Sequence, residues 1–154
     1  MRTPRHRSRE FALQAIYQKL VNPEYTVSEV INNVIETDAF VEAMDGRKPK
    51  VDAAFFEQLV LGVYTGTALY EERIAACLDR SWLEVDWIER AVLLIACHEF
   101  IASLETPSPV IINEAIELAK TYGKGDSHRF INGALDKLSG KLRADHGTRL
   151  NRSS

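Results

Sequence analysis

Helix-start signals and apolar residues at helical spacing recur along nearly the whole chain, and no convincing alternating strand pattern interrupts them. That combination confines the fold to all-α architectures. Thr3-Pro4 predicts a first helix with Thr3 as N-cap and proline in the first turn. Ala12, Leu13, Ile16 and Leu20 give it a core stripe, and it ends before Asn22-Pro23. Thr26-Val27-Ser28-Glu29 is a capping-box pattern, followed by Val27, Val30, Ile31, Val34 and Ile35 at helical spacing, with no clear end before Phe40. A polar loop over 45–50 precedes a long helix from about Asp52, with Phe56, Leu59, Val60, Val63, Thr67, Tyr70, Ile74 and Leu78 on one face. Gly62 and Gly66 lie on one side of it and predict close approach of another helix.

Asp86 opens a further helix with Ile88, Ala91, Val92, Ile95, Ala96 and Phe100 as its buried face. After Thr106-Pro107, Ser108 is the expected cap and Pro109 the first residue of a helix carrying Ile112, Ala115, Ile116 and Ala119, stopped by Gly123. Asp126 or Ser127 caps a last helix through Ile131, Ala134, Leu135, Leu138 and Leu142, and a polar tail from Ala144 is expected to fray.

The chain has 154 residues, enough for one domain or two small helical lobes. No apolar run approaches the roughly 20 residues that cross a bilayer, and no apolar stretch follows the basic N-terminus as in a secretory signal. Cys77 and Cys97 form no CxxC pair, which argues against a disulfide framework or a cysteine zinc site. A reduced, cytoplasmic protein is expected. The formal net charge of −3 hides an asymmetry: residues 1–23 carry +4, residues 24–106 carry −10 and residues 107–154 carry +3. A polyanion is drawn to such ends and repelled by the middle, although basic tails are also often merely solvated.

Nothing makes a positive case for catalysis. His6, His98, His128 and His146 show no metal-ligand spacing, so no metal or cofactor is predicted. Cys97 and His98 are sequence neighbours, which diverge by about 100° on a helix and do not face each other. Gly123-x-Gly125 lacks the strand and the third glycine of a phosphate-binding fingerprint. Glu114 and Glu117 read as solvated carboxylates on a polar helix face.

The arginines are less ordinary. Arg2, Arg5, Arg7 and Arg9, with His6, crowd the start of the first helix, where the macrodipole disfavours exposed cations by ~0.3–1 kcal/mol each. A bound polyanion would explain the breach. Arg5 and Arg9 share a face at i,i+4 and could straddle a phosphate backbone, and arginine also stacks on bases. At the last helix, Asp126, Ser127, His128, Arg129 and Phe130 offer backbone N–H groups, charge and an aromatic face. The plainer reading there makes Asp126 the N-cap, Arg129 solvated and Phe130 core, and the residues alone favour it.

The stretch from Arg7 to Tyr17 resembles the opening helix of the bacterial transcription antitermination factor NusB family. Ile112-Asn113-Glu114-Ala115-Ile116-Glu117-Leu118-Ala119-Lys120, then Tyr122-Gly123, then Asp126 through Lys137, closely resembles the family's C-terminal part, and Glu89-Arg90-Ala91-Val92-Leu93 also fits. The resemblance spans about residues 5–138. It implies an all-helical fold of about seven helices in two subdomains, over about 4–80 and 81–143, with a frayed tail at 144–154. It further implies binding to boxA RNA in ribosomal RNA operon leaders, jointly with the ribosomal small-subunit protein NusE, in a complex with NusA, NusG and RNA polymerase. No reaction is implied.

By position, the resemblance puts Arg5, Arg7, Arg9 and Gln14 at the RNA surface, with Asp126, Arg129 and Phe130 as a second RNA-contacting segment. Tyr17 and Glu89 match positions that meet NusE. The two helix starts are then expected to share one surface. Cys77 stands where the family can carry an aromatic partner contact and is not assigned one. The competing readings are a helical protein–protein adaptor and the accessory domain of a ribosomal RNA methyltransferase. A chain of this length leaves no room for that enzyme's cofactor domain. A homodimer that hides the arginines is compatible with the family.

Overall fold

The computed structural model describes residues 3–46 and 50–143. Among them are seven α-helices, a single 3-10 turn at Trp82–Glu84 and no strand. Arg2, Arg47, Lys48, Pro49, His146 and the tail from Ala144 lie outside the described residues. None of the described helices is long and apolar enough to cross a membrane. Two compact units divide at Gly66 and Thr67, earlier than the boundary near residue 80 expected from sequence.

The first unit opens with α1 (Pro4–Val21), and the Thr3 hydroxyl accepts the His6 N–H at 3.0 Å as its N-cap. Phe11, Ala12, Leu13, Ala15 and Ile16 are buried, while Leu20 is only half-buried. Helix α2 (Val27–Ile35) carries the predicted capping box, with Thr26 and Glu29 each accepting the other's backbone N–H. It ends at Ile35, and a separate α3 (Asp38–Met44) follows because Thr37 caps a new helix at Phe40 N–H, 3.2 Å away. Helix α4 (Ala53–Ala75) begins in this unit. Phe11 of α1, Phe40 of α3 and Phe56 of α4 form a ring cluster with centroid separations of 4.9 and 5.2 Å. Asn33 bridges α2 to Gln18 of α1, and Tyr64 Oη donates to the Ile16 carbonyl at 3.0 Å.

The end of α4 belongs to the second unit, where Tyr70 Oη bonds His98 Nδ1 at 2.8 Å. That tie joins the last turns of α4 to helix α5 (Trp87–Ala102) within this unit. Leu78 falls beyond α4. Helix α5 is buried from Ala91 through Phe100 on every side, not along one face as its spacing suggested. A helix buried all round lies at the heart of its unit, and α6 and α7 both pack on it and on each other.

Helix α6 (Ser108–Tyr122) starts one residue earlier than predicted. Ser108 is helical, its cap position is Pro107, and its hydroxyl lies 3.4 Å from Arg143 Nη1 instead of capping the helix. Its buried face runs through Ile111, Ala115, Leu118 and Ala119, so Ile111 and Leu118 replace Ile112 and Ile116. Helix α7 (Ser127–Leu142) buries Ile131, Ala134, Leu135 and Leu138. Just past its end, buried Arg143 donates to the carbonyls of Glu99, Phe100, Ser103 and Thr106. A cation there complements the negative end of α5 and adds donors to the carbonyls at and beyond its last turn.

Candidate nucleic-acid interface

At the start of α1 each arginine lies on an aromatic ring. Arg5 is exposed, with Cζ 4.3 Å from the Phe55 centroid. Arg7 is half-buried, 4.1 Å from the Phe11 centroid, and its Nη1 donates to Glu10 Oε1 at 2.9 Å. His6 is buried, with Nε2 3.7 Å from the other Glu10 oxygen. The positive charge that looked uncompensated in the sequence is therefore partly offset from within, by a buried carboxylate and by ring faces. Cation–π contacts of this kind contribute ~0.5–1 kcal/mol each at exposed sites.

Arg9 departs from expectation. It shares the Phe55 ring with Arg5, at 5.1 Å, as i,i+4 spacing requires, but it is only 3% exposed. The inner member of the pair is covered by the fold, and only Arg5 can meet a phosphate directly. Phe55 is held in place by a short relay. Ser8 Oγ accepts the Asp52 N–H at 2.9 Å and lies 2.7 Å from the Asp52 carbonyl, tying α1 to the entrance of α4. Asp52 Oδ1 then accepts the Phe55 N–H at 3.0 Å. Further along α1, Gln14 is half-buried and Tyr17 is 38% exposed.

The start of α7 is built differently. Helix α6 stops at Gly123, where a side chain has no room: a Cβ would stand 2.6 Å from the Ala119 carbonyl and 3.0 Å from Ser127 Cβ. Gly125 turns the chain at φ +50°, a region that favours glycine. Asp126 takes the N-cap position, yet its exposed carboxylate makes no capping bond. Ser127 is buried and donates to Glu89 Oε2 at 2.8 Å. Glu89 Oε1 accepts the Asp86 N–H at 3.3 Å, and Asp86 Oδ1 accepts the Glu89 N–H at 2.8 Å. Glu89 is thus 8% exposed and bonded within the unit through both oxygens. Arg129 is exposed and Phe130 half-buried, neither fully core nor free.

One open cleft of about 580 Å3 is lined by Glu89, Asp126, Arg129 and Phe130, along with Asp79 and Arg80. The structure therefore brings together Glu89 and the Asp126–Phe130 segment, which the sequence treated as separate. Arg80 lies over the Phe130 ring at 4.1 Å, and its Nε donates to Asp79 Oδ1 at 3.0 Å. That bond holds the Asp79 carboxyl below its ordinary range. Sequence reasoning missed Asp79 and Arg80, which follow α4 in a segment without periodicity. It also missed Phe55, since the α4 face was centred on Phe56. Among the described residues, no group of three or more His, Cys, Asp or Glu is placed to hold a metal ion.

These features define an all-helical protein of two compact units, each with arginine laid on aromatic rings near a helix start. The chain belongs to the NusB family, whose model matches residues 6–140. It is 46% identical over 149 residues to the transcription antitermination protein NusB of Neisseria gonorrhoeae, covering 97% of this chain and 99% of that one. With the protein of the same name from Chromobacterium violaceum it shares 42% over 145 residues, covering 94% and 92%. The solved structure of Thermotoga maritima NusB superposes with a TM-score of 0.75 at 25% identity, covering 90% of this chain and 92% of that one.

Proposed function

We propose that this chain is a transcription antitermination factor that binds the boxA element of nascent ribosomal RNA leaders together with NusE. It acts in the cytoplasm by recognition and tethering, catalyses no reaction, and joins NusA, NusG and RNA polymerase. The observation that carries this reading is the start of α1. Its arginines sit at the positive end of a helix and are backed by Phe55 and Phe11. Glu10 and the ring faces offset part of that charge, and an anion meeting exposed Arg5 and half-buried Arg7 would offset the rest.

Arg5 and Arg7 neutralise backbone phosphates and release counterions. Arg9, buried beneath Arg5, holds the Phe55 platform. Gln14 extends this contact along α1. At the second site, Arg129 meets a phosphate, and the uncommitted Asp126 carboxylate accepts from a base amino group. Phe130, half-buried in the same cleft, backs the RNA-facing wall with its ring. Tyr17 offers NusE an exposed ring, and Glu89 orders the partner-facing cleft wall through its bonds to Asp86 and Ser127. Joint docking raises the effective concentration of each RNA surface.

A gel shift with boxA RNA and a scrambled control, with and without NusE, tests the assignment. Replacing Arg5 and Arg7 together by alanine should weaken boxA binding about tenfold or more, with the helical circular-dichroism signal unchanged. An unaltered dissociation constant at fixed salt overturns the reading.

A further inference from the structure

Phe130 does not present a bare ring. Arg80 covers it at 4.1 Å, so a base cannot stack on that face without expelling the guanidinium. The arginine is also tethered from the side, its Nε bonded to Asp79 Oδ1 at 3.0 Å. Even so, 40% of the Arg80 side chain remains exposed, and it lines the open cleft with Asp126 and Arg129. A guanidinium over one ring can offer its other planar face to a nucleobase.

We propose that Arg80, laid on Phe130 and tethered by Asp79, is the platform on which one base of the bound RNA stacks. The base forms the third tier of a stack of ring, guanidinium and base. Phe130 supports it from beneath, and Asp79 is a positioning residue that limits rotation about the Arg80 side chain. Exposed Arg129 and Asp126 flank the same cleft, where they can take the adjoining phosphate and the edge of the base. Preformed stacking explains why a cation is fixed over Phe130 before RNA arrives. This inference rests on the RNA-binding function proposed above and names a residue for it.

The test combines Arg80→Lys with single abasic substitutions along a boxA RNA oligonucleotide. Lysine keeps the charge and loses the plane. For the unmodified protein, one abasic position should weaken binding about fivefold or more. Arg80→Lys should cause a similar loss on intact RNA, and the same abasic position should then cost nothing further. Asp79→Asn should give a smaller loss at that position alone. Equal binding by Arg80→Lys, or a loss that adds to the abasic penalty at every position, reduces Arg80 to a phosphate contact or a bystander and overturns the platform. Failure of the unmodified protein to retain boxA RNA defeats the proposed function itself, and the two failures are thereby distinguished.

Discussion

Single side chains in this protein carry more polar duty inside the fold than the sequence advertises. His98 is buried and bonded to Tyr70 through Nδ1, and its Nε2 meets no hydrogen-bond partner among the described residues. Burial lowers its pKa because desolvation disfavours the imidazolium, although nearby Glu99 acts the other way. The unfolded chain takes up this proton near the ordinary histidine value of about 6.5, while the folded chain resists it until lower pH. The stability owed to neutral His98 is therefore complete above about pH 6.5 and drains away as the pH falls below it. Urea midpoints should drop between pH 7.5 and 5.5, and less steeply in His98→Gln; parallel slopes would count against the account. The neighbouring Cys97 thiol is pushed up to about 12 by burial, and so stays protonated across this range.

Elements show where sequence reading succeeds and where it stops. Thr3, Thr26 and Asp86 marked helix starts correctly, because a cap is a local bargain between one side chain and the next turn's N–H groups. Asp126 marked a start but makes no capping bond, and Ser108 lies near Arg143, a tertiary neighbour, instead of capping. Periodicity found one face of α5 but could not reveal a helix enclosed on all sides. For the candidate site, Arg5 and Arg7 were legible as charge out of place, whereas Arg129 and Phe130 entered only through the family resemblance. Phe55 and Arg80 were not legible, because their meaning arises only when distant segments meet. The junction of α6 and α7 offers a direct check. Gly123→Ala should destabilise the protein by ~1–3 kcal/mol, since its new methyl must displace the Ala119 carbonyl or Ser127. Thermal denaturation would report that cost, and an unchanged melting temperature would show that the junction yields freely.

At the scale of the whole molecule, electrostatics sets how an acidic protein would carry out the proposed RNA binding. The net charge is −3, so long-range attraction has to come from the basic regions and not from the total. With Arg5, Arg7 and Arg129 as the phosphate contacts, binding to single-stranded RNA should fall with salt at a log–log slope of about −2. Fluorescence titrations across potassium chloride concentrations give that slope directly, and a value near zero would remove the arginines from the binding account. A further consequence belongs to the order in which the chain is made. Arg143 closes on carbonyls 37 to 44 residues upstream. A nascent polypeptide arrested at Leu142 encodes every helix among the described residues, but not the guanidinium that these four carbonyls share. The second unit is therefore finished late in translation, by one guanidinium arriving after the helices it fastens.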